Sequence, residues 1–221
     1  MTTTKAFWRD PYRTELEARI TGVDGDDVTV DATIFYALSG GQESDHGSIG
    51  GKDVLQARKA GREIVYTLAP RHDLRPGDPV VIRIDWDRRY RLMRLHFAAE
   101  LVLELVYRRL APIEKVGAHI AADKARIDFA LDHNIAGHFP AIAAEVQEIV
   151  AADQAITSAY SDEAAERRFW QIPGFAPVPC GGTHLKRTGE VGRISLKRKN
   201  IGRGKERIEI RLDDAGQAAN S

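Results

Sequence analysis

The feature that most constrains this 221-residue chain is a change of hydrophobic period near residue 85. Before it, from Glu15 to about Asp85, short strand-like runs such as Leu16–Ile20, Val28–Val30, Glu63–Thr67 and Val80–Ile84 are separated by turn signals at Asp24–Asp27 and Arg75–Asp78. Many short strands punctuated by Gly, Pro and Asp suggest a small β-barrel, here over residues 1–87. After it, Leu92, Leu95, Ala99, Val102, Leu103 and Val106 recur at helical spacing up to about Leu110. Apolar residues occupy most sides of that helix, so it should be largely buried.

The helix opens a second domain, 88–212. Val116–Ile120 and Ala125–Ala130 alternate about a polar turn and predict a hairpin. Phe139–Ala152 predicts a helix with Ile142, Val146, Ile149 and Val150 on one face. A shorter helix is expected from Ser161, with Asp162 and Glu163 in its first turn. Gly192–Leu196 and Arg207–Leu212 alternate again, so the fold class is α+β. Residues 213–221 are expected to form a disordered tail.

Hydrophobic content of 43% and charged content of 29% fit a soluble globular protein. The formal net charge is zero, so no global field attracts nucleic acid and any basic surface must be local. No apolar signal core opens the sequence and no stretch approaches bilayer length, which makes the cytoplasm the expected address. The local exception to neutrality lies between Lys186 and Arg207, where nine Lys/Arg face only Glu190 and Glu206 and glycines 192, 202 and 204 interrupt the run. Lys197, Arg198, Lys199, Arg203 and Lys205 are its candidate phosphate contacts. A solvated surface hairpin is the plainer alternative.

The only cysteine, Cys180, stands in Pro179-Cys180-Gly181-Gly182-Thr183-His184. It excludes an intramolecular disulfide, and in a reducing compartment its thiol stays available to metal. On the long helix His96 and Glu100 lie four apart and project from one face. Cys180 and His184 can converge from a tight loop if the glycines adopt positive φ. Thiolate, imidazole and carboxylate are ligands that Zn2+ accepts in tetrahedral sites. Each part alone has a blander reading: a buried small hydrophobe, a core histidine, a local His–Glu hydrogen bond.

Four segments in order carry a resemblance. They are Asp31–Tyr36 leading into Ser39-Gly40-Gly41-Gln42-Glu43-Ser44-Asp45-His46-Gly47; Asp85-Trp86-Asp87-Arg88-Arg89-Tyr90 up to His96; Gly117–Ile120 through Lys124–Phe129; and Pro179–His184 with Thr188–Gly192. From roughly Thr14 to Leu212 the chain resembles AlaX, the free-standing alanyl-tRNA editing proteins, of the medium-length type, which are similar to the editing domain of alanyl-tRNA synthetase. The resemblance implies an N-terminal barrel followed by a mixed α/β sandwich editing domain. It implies a Zn2+-dependent deacylase that hydrolyses the ester of mischarged tRNA(Ala), chiefly Ser-tRNA(Ala) with Gly-tRNA(Ala) as a further candidate, and that takes the tRNA acceptor end as partner.

His96, Cys180 and His184 match the family's metal ligands. The second position of its usual His-x-x-x-His motif is Glu100 here, either a fourth ligand or a general base. Thr33 matches the threonine associated with rejecting alanine, and Gly40, Gly41 and Gln42 would lie near the site or touch the acceptor end. Two rivals stand beside the editing enzyme: a tRNA-binding relative that has lost deacylation, and a zinc esterase acting on small aminoacyl esters.

Overall fold

The computed structural model describes residues 2–202 and 204–213, so Arg203 and residues 214–221 of the expected tail lie outside the described residues. Two compact units divide the chain, Met1–Arg91 and Leu92–Ser221. Both are strand-rich, and the chain as a whole is α+β.

In the first unit β1 (Thr4–Lys5) pairs in parallel with β4 (Ala32–Thr33). The other strands are β2 (Glu15–Asp24), β3 (Asp27–Val30), β5 (Gly47–Ile49), β6 (Lys52–Ala60), β7 (Glu63–Leu68) and β8 (Pro79–Ile84). They hydrogen-bond in the order β2-β3-β7-β6-β5-β8, and β8 returns to β2, so the ring of pairings is closed. Period-two alternation fills its interior: Leu16, Ala18 and Ile20 of β2, Ile64, Tyr66 and Leu68 of β7, and Val80, Ile82 and Ile84 of β8 are all buried. The β2–β3 hairpin closes through Gly25-Asp26, where Gly25 takes φ 60°, a left-handed value that glycine adopts at no steric cost.

Helix α1 spans Trp86–Leu110. Asp85 caps it, its Oδ1 accepting the Arg88 N–H at 3.0 Å. Arg108 and Arg109 complement the dipole of its last turn, and Pro112 follows. From Leu92 onward it runs through the second unit with Leu92, Met93, Leu95, Phe97, Leu101 and Leu105 inaccessible to solvent, as expected of a helix apolar on most sides.

The second unit continues with β9 (Glu114–Ile120), β10 (Ala125–Ala130), α2 (Phe139–Ala151), β11 (Thr157–Asp162), β12 (Arg167–Gln171), β13 (Val178–Pro179), β14 (Ile194–Asn200) and β15 (Lys205–Leu212). One antiparallel sheet has the order β14-β15-β10-β9, the other β11-β12-β13. Ile142, Val146 and Val150 form the buried stripe of α2, which lies against β14.

The helix expected from Ser161 does not form. Ser161 belongs to β11, and the next residues make a turn in which Asp162 Oδ1 accepts the Ala165 N–H at 2.9 Å and Glu166 takes φ 55°. Asp at such a position caps a turn as readily as a helix, and the residues that follow supply no apolar face before β12 begins. Among the described residues no helix is long and apolar enough to cross a membrane.

Candidate metal centre

Two elements of the second unit bring four donors together. Helix α1 presents His96 and Glu100 one turn apart, and the loop after β13 presents Cys180 and His184. Each offers one donor atom, and all four lie within 4.8 Å of one another. Cys180 Sγ is 3.2 Å from both His96 Nε2 and His184 Nε2. Glu100 stands 3.4 Å from His96 Nε2 through Oε1 and 3.3 Å from His184 Nε2 through Oε2. Tetrahedral bonds of about 2.1 Å to nitrogen or oxygen and 2.3 Å to sulfur separate their donors by about 3.4–3.6 Å. Four separations of 3.2–3.4 Å lie near these values, and the whole set is close enough together to hold one metal ion.

The loop reaches this geometry differently from the expectation. Neither Gly181 nor Gly182 uses positive φ. Cys180 is fixed instead by its own N–H, which donates to Arg168 O on β12 at 2.9 Å, and its sulfur receives the Gly182 N–H at 3.4 Å. Sequence inspection also missed Ser158 on β11, whose Oγ lies 3.1 Å from His184 Nδ1. With Nε2 turned to the cluster, the geometry assigns the ring proton to Nδ1, which donates to that hydroxyl. A lone serine in a polar strand carries no signal that would have singled it out. Among the described residues His96 Nδ1, on the side of the ring away from the cluster, is buried without a hydrogen-bond partner.

Burial pushes the Glu100 carboxyl up, but the two imidazoles outweigh it, and the group is held well below the usual carboxylate range. Burial lowers His184, favouring the neutral ring that ligates metal. The Cys180 thiol is pushed up by burial first and then by the Glu100 charge. An ionised carboxylate, a His184 ring that burial favours as neutral and a thiol that needs a nearby cation to ionise fit a divalent metal.

The glycine-rich segment belongs to the first unit. Gly40 (φ 60°) and Gly41 (φ 87°) form a two-residue turn closed by reciprocal backbone bonds between Ser39 and Gln42. Gln42 is fully buried. So is Thr33, whose Oγ1 accepts the Phe35 N–H at 3.0 Å and lies 2.7 Å from Tyr66 Oη. Tyr66 Oη in turn donates to Phe35 O at 3.1 Å, so the Thr33 hydroxyl proton goes to Tyr66 and one Thr33 lone pair is left. Arg89 clasps the segment: Nε donates to Asp45 Oδ1 at 2.7 Å, with further bonds to Ile34 O at 2.6 Å and Pro11 O at 3.0 Å.

The basic run divides. Lys197, Lys199 and Lys205 are exposed, whereas the Arg198 guanidinium turns to the other side of the sheet and is held by both oxygens of the buried Glu206 at 2.5 Å. Arg203 lies outside the described residues.

Residues 168–209, which include Cys180 and His184, match the family described as "Threonyl and Alanyl tRNA synthetase second additional domain". The "Alanyl-tRNA editing protein AlaX-M" of Pyrococcus horikoshii is 34% identical over 96% of this chain and 98% of its own length. Its namesake from Methanosarcina mazei is 30% identical over 94% and 96%. An "Alanine--tRNA ligase" of Ignicoccus hospitalis is 34% identical over 94% of this chain, which matches 26% of that longer protein. With this identity over nearly the full length of two such proteins, the chain belongs to the AlaX family of alanyl-tRNA editing proteins.

Proposed function

We propose that the protein edits tRNA(Ala), hydrolysing the ester of the mischarged species Ser-tRNA(Ala) and Gly-tRNA(Ala) at a zinc centre. The four converged donors carry this reading, because the one departure from the family motif, Glu100, sits at a corner of the set. His96, Glu100, Cys180 and His184 would hold Zn2+, which when bound supplies Lewis acidity toward an ester carbonyl or an attacking water. Glu100 acts as a ligand: its charge and that of the Cys180 thiolate together offset that of a divalent ion. Ser158 fixes the ring of His184, and the Gly182 N–H steadies the sulfur. A carboxylate still at a donor corner favours the enzyme over the lapsed tRNA-binding relative.

Discrimination against alanine falls to Thr33. Its remaining lone pair would accept the seryl hydroxyl and lose that partner when alanine enters. Gly40, Gly41 and Gln42 would shape the approach of the acceptor end. The arrangement is read as a small barrel followed by a sandwich-like editing domain, at a cytoplasmic address.

The test is deacylation of Ser-, Gly- and Ala-tRNA(Ala) by the purified protein. Release of serine with alanine spared is expected. Equal rates on all three, or cleavage confined to small aminoacyl esters, would overturn the assignment.

A further inference from the structure

The two faces of the β14-β15-β10-β9 sheet differ in chemistry. One buries Ile127, Phe129, Ile208, Ile210 and Leu212. On the other, strand register sets His119, Arg126, Glu209 and Lys197 in one cross-strand row. Asp128, Arg207 and Lys199 stand in the next. By the same alternation Lys205 and Arg211 project from this face two residues either way along β15.

Two of its acidic groups, Asp128 and Glu209, are buried and already engaged, while Glu114 in the Lys205 row and Asp213, whose Oδ1 accepts from Ser195 Oγ, are exposed at its ends. Asp128 accepts from Arg207 Nε at 2.6 Å and from Arg126, and Glu209 accepts from Lys124 Nζ at 2.9 Å. Each has only 9% of its side chain exposed. They hold Arg126, Arg207 and Lys124 in place without cancelling the charge that faces outward. Lys197, Lys199, Lys205 and Arg211 are exposed, and none makes an ion pair among the described residues. In a chain of zero formal net charge this face keeps a net positive balance.

Its dimensions select the ligand. From Lys205 to Arg211 the array runs about 20 Å along β15, at about 3.4 Å per residue. That is too extended for one small anion and suits a row of backbone phosphates. An extended basic face of this kind also matches RNA duplexes, which are recognised by shape and phosphate contacts more than by base edges.

We propose that this outer sheet face is where a duplex stem of the substrate RNA lies, its phosphates neutralised by Lys197, Lys199, Lys205 and Arg211. The partner's identity rests on the editing function proposed above; the phosphate-binding surface does not. Arg198, committed to Glu206 on the opposite face, takes no part.

The test is binding of an uncharged tRNA(Ala) transcript to the full chain across a salt series, comparing wild type with the triple variant Lys197→Ala/Lys199→Ala/Arg211→Ala. Loss of three phosphate contacts shrinks the slope of log affinity against log salt by about 2 to 3 and weakens binding on the order of 100-fold at 0.15 M salt. Unchanged melting and metal content of the variant show that the fold and the metal centre are intact. An unaltered slope and affinity would overturn the surface, even if the wild type deacylates Ser-tRNA(Ala). A wild type that binds through this face yet deacylates nothing would overturn the editing reading and leave the surface standing.

Discussion

Replacing Asp45 by alanine should unfold the first unit far more readily than any surface change. Asp45 and Arg89 are both fully buried, and their ion pair is the main partner of the guanidinium. Without the carboxylate, Arg89 keeps, among the described residues, the carbonyls of Ile34 and Pro11, and the buried Tyr36 N–H loses an acceptor, now 2.6 Å away. Breaking a buried pair from one side costs about 3–5 kcal/mol, because the remaining charge is desolvated and uncompensated. Loss of the bond to the Tyr36 N–H adds to this, although neighbouring terms do not sum fully.

A net loss of about 4–6 kcal/mol approaches the entire stability of a small domain and corresponds to a melting decrease of more than about 15 °C. Urea and thermal unfolding followed by circular dichroism and by fluorescence would register it, since Trp8 and Trp86 belong to the first unit and Trp170 to the second. The double variant Asp45→Ala/Arg89→Met should recover much of the loss, because it removes the stranded charge. A loss below about 1 kcal/mol in Asp45→Ala would refute the reasoning.

Ser158→Ala should weaken zinc affinity about 10–100-fold, measured by chelator competition, with Ser158→Thr restoring it; unchanged affinity would mean that His184 is oriented by other contacts. Asp128 should contribute to acid stability. Burial raises its carboxyl, but Arg207 and Arg126 outweigh that and hold it below its ordinary value. A depressed folded-state pKa stabilises above the unfolded value and loses that stabilisation as pH falls through the folded one, so wild type should lose stability below about pH 4. Asp128→Asn should flatten that loss in urea unfolding between pH 3 and 6, and identical acid limbs would contradict the assignment.

Much of this was legible because local signals and tertiary demands agreed. Leu16, Ile20, Ile64, Tyr66, Val80 and Ile82 alternate in sequence because they alternate between interior and solvent, and α1 reads as buried because it is. The convergence of four possible metal donors was legible for the same reason, since helical spacing and a short loop both act over a few residues. Strand β6 escaped: only Ala57 of its nine residues is buried, and its place comes from pairing with β7. Ser161 misled because a serine and two acids suit a turn and a helix start alike. The role of Ser158, the division of Arg198 from Lys197 and Lys199, and the Arg89–Asp45 clasp depend on strand register or on residues far apart in sequence, which no local pattern encodes.

The most direct test of the central claim measures metal content and serine release on the same preparations of wild type, Glu100→Ala, Glu100→His and Cys180→Ser. The account predicts about one zinc ion per wild-type chain with Ser-tRNA(Ala) deacylated, both lost in Glu100→Ala and Cys180→Ser, and metal retained in Glu100→His. A wild type that is metal-free and inert while Glu100→His gains both metal and activity would contradict it, and so would a metal-free wild type that deacylates.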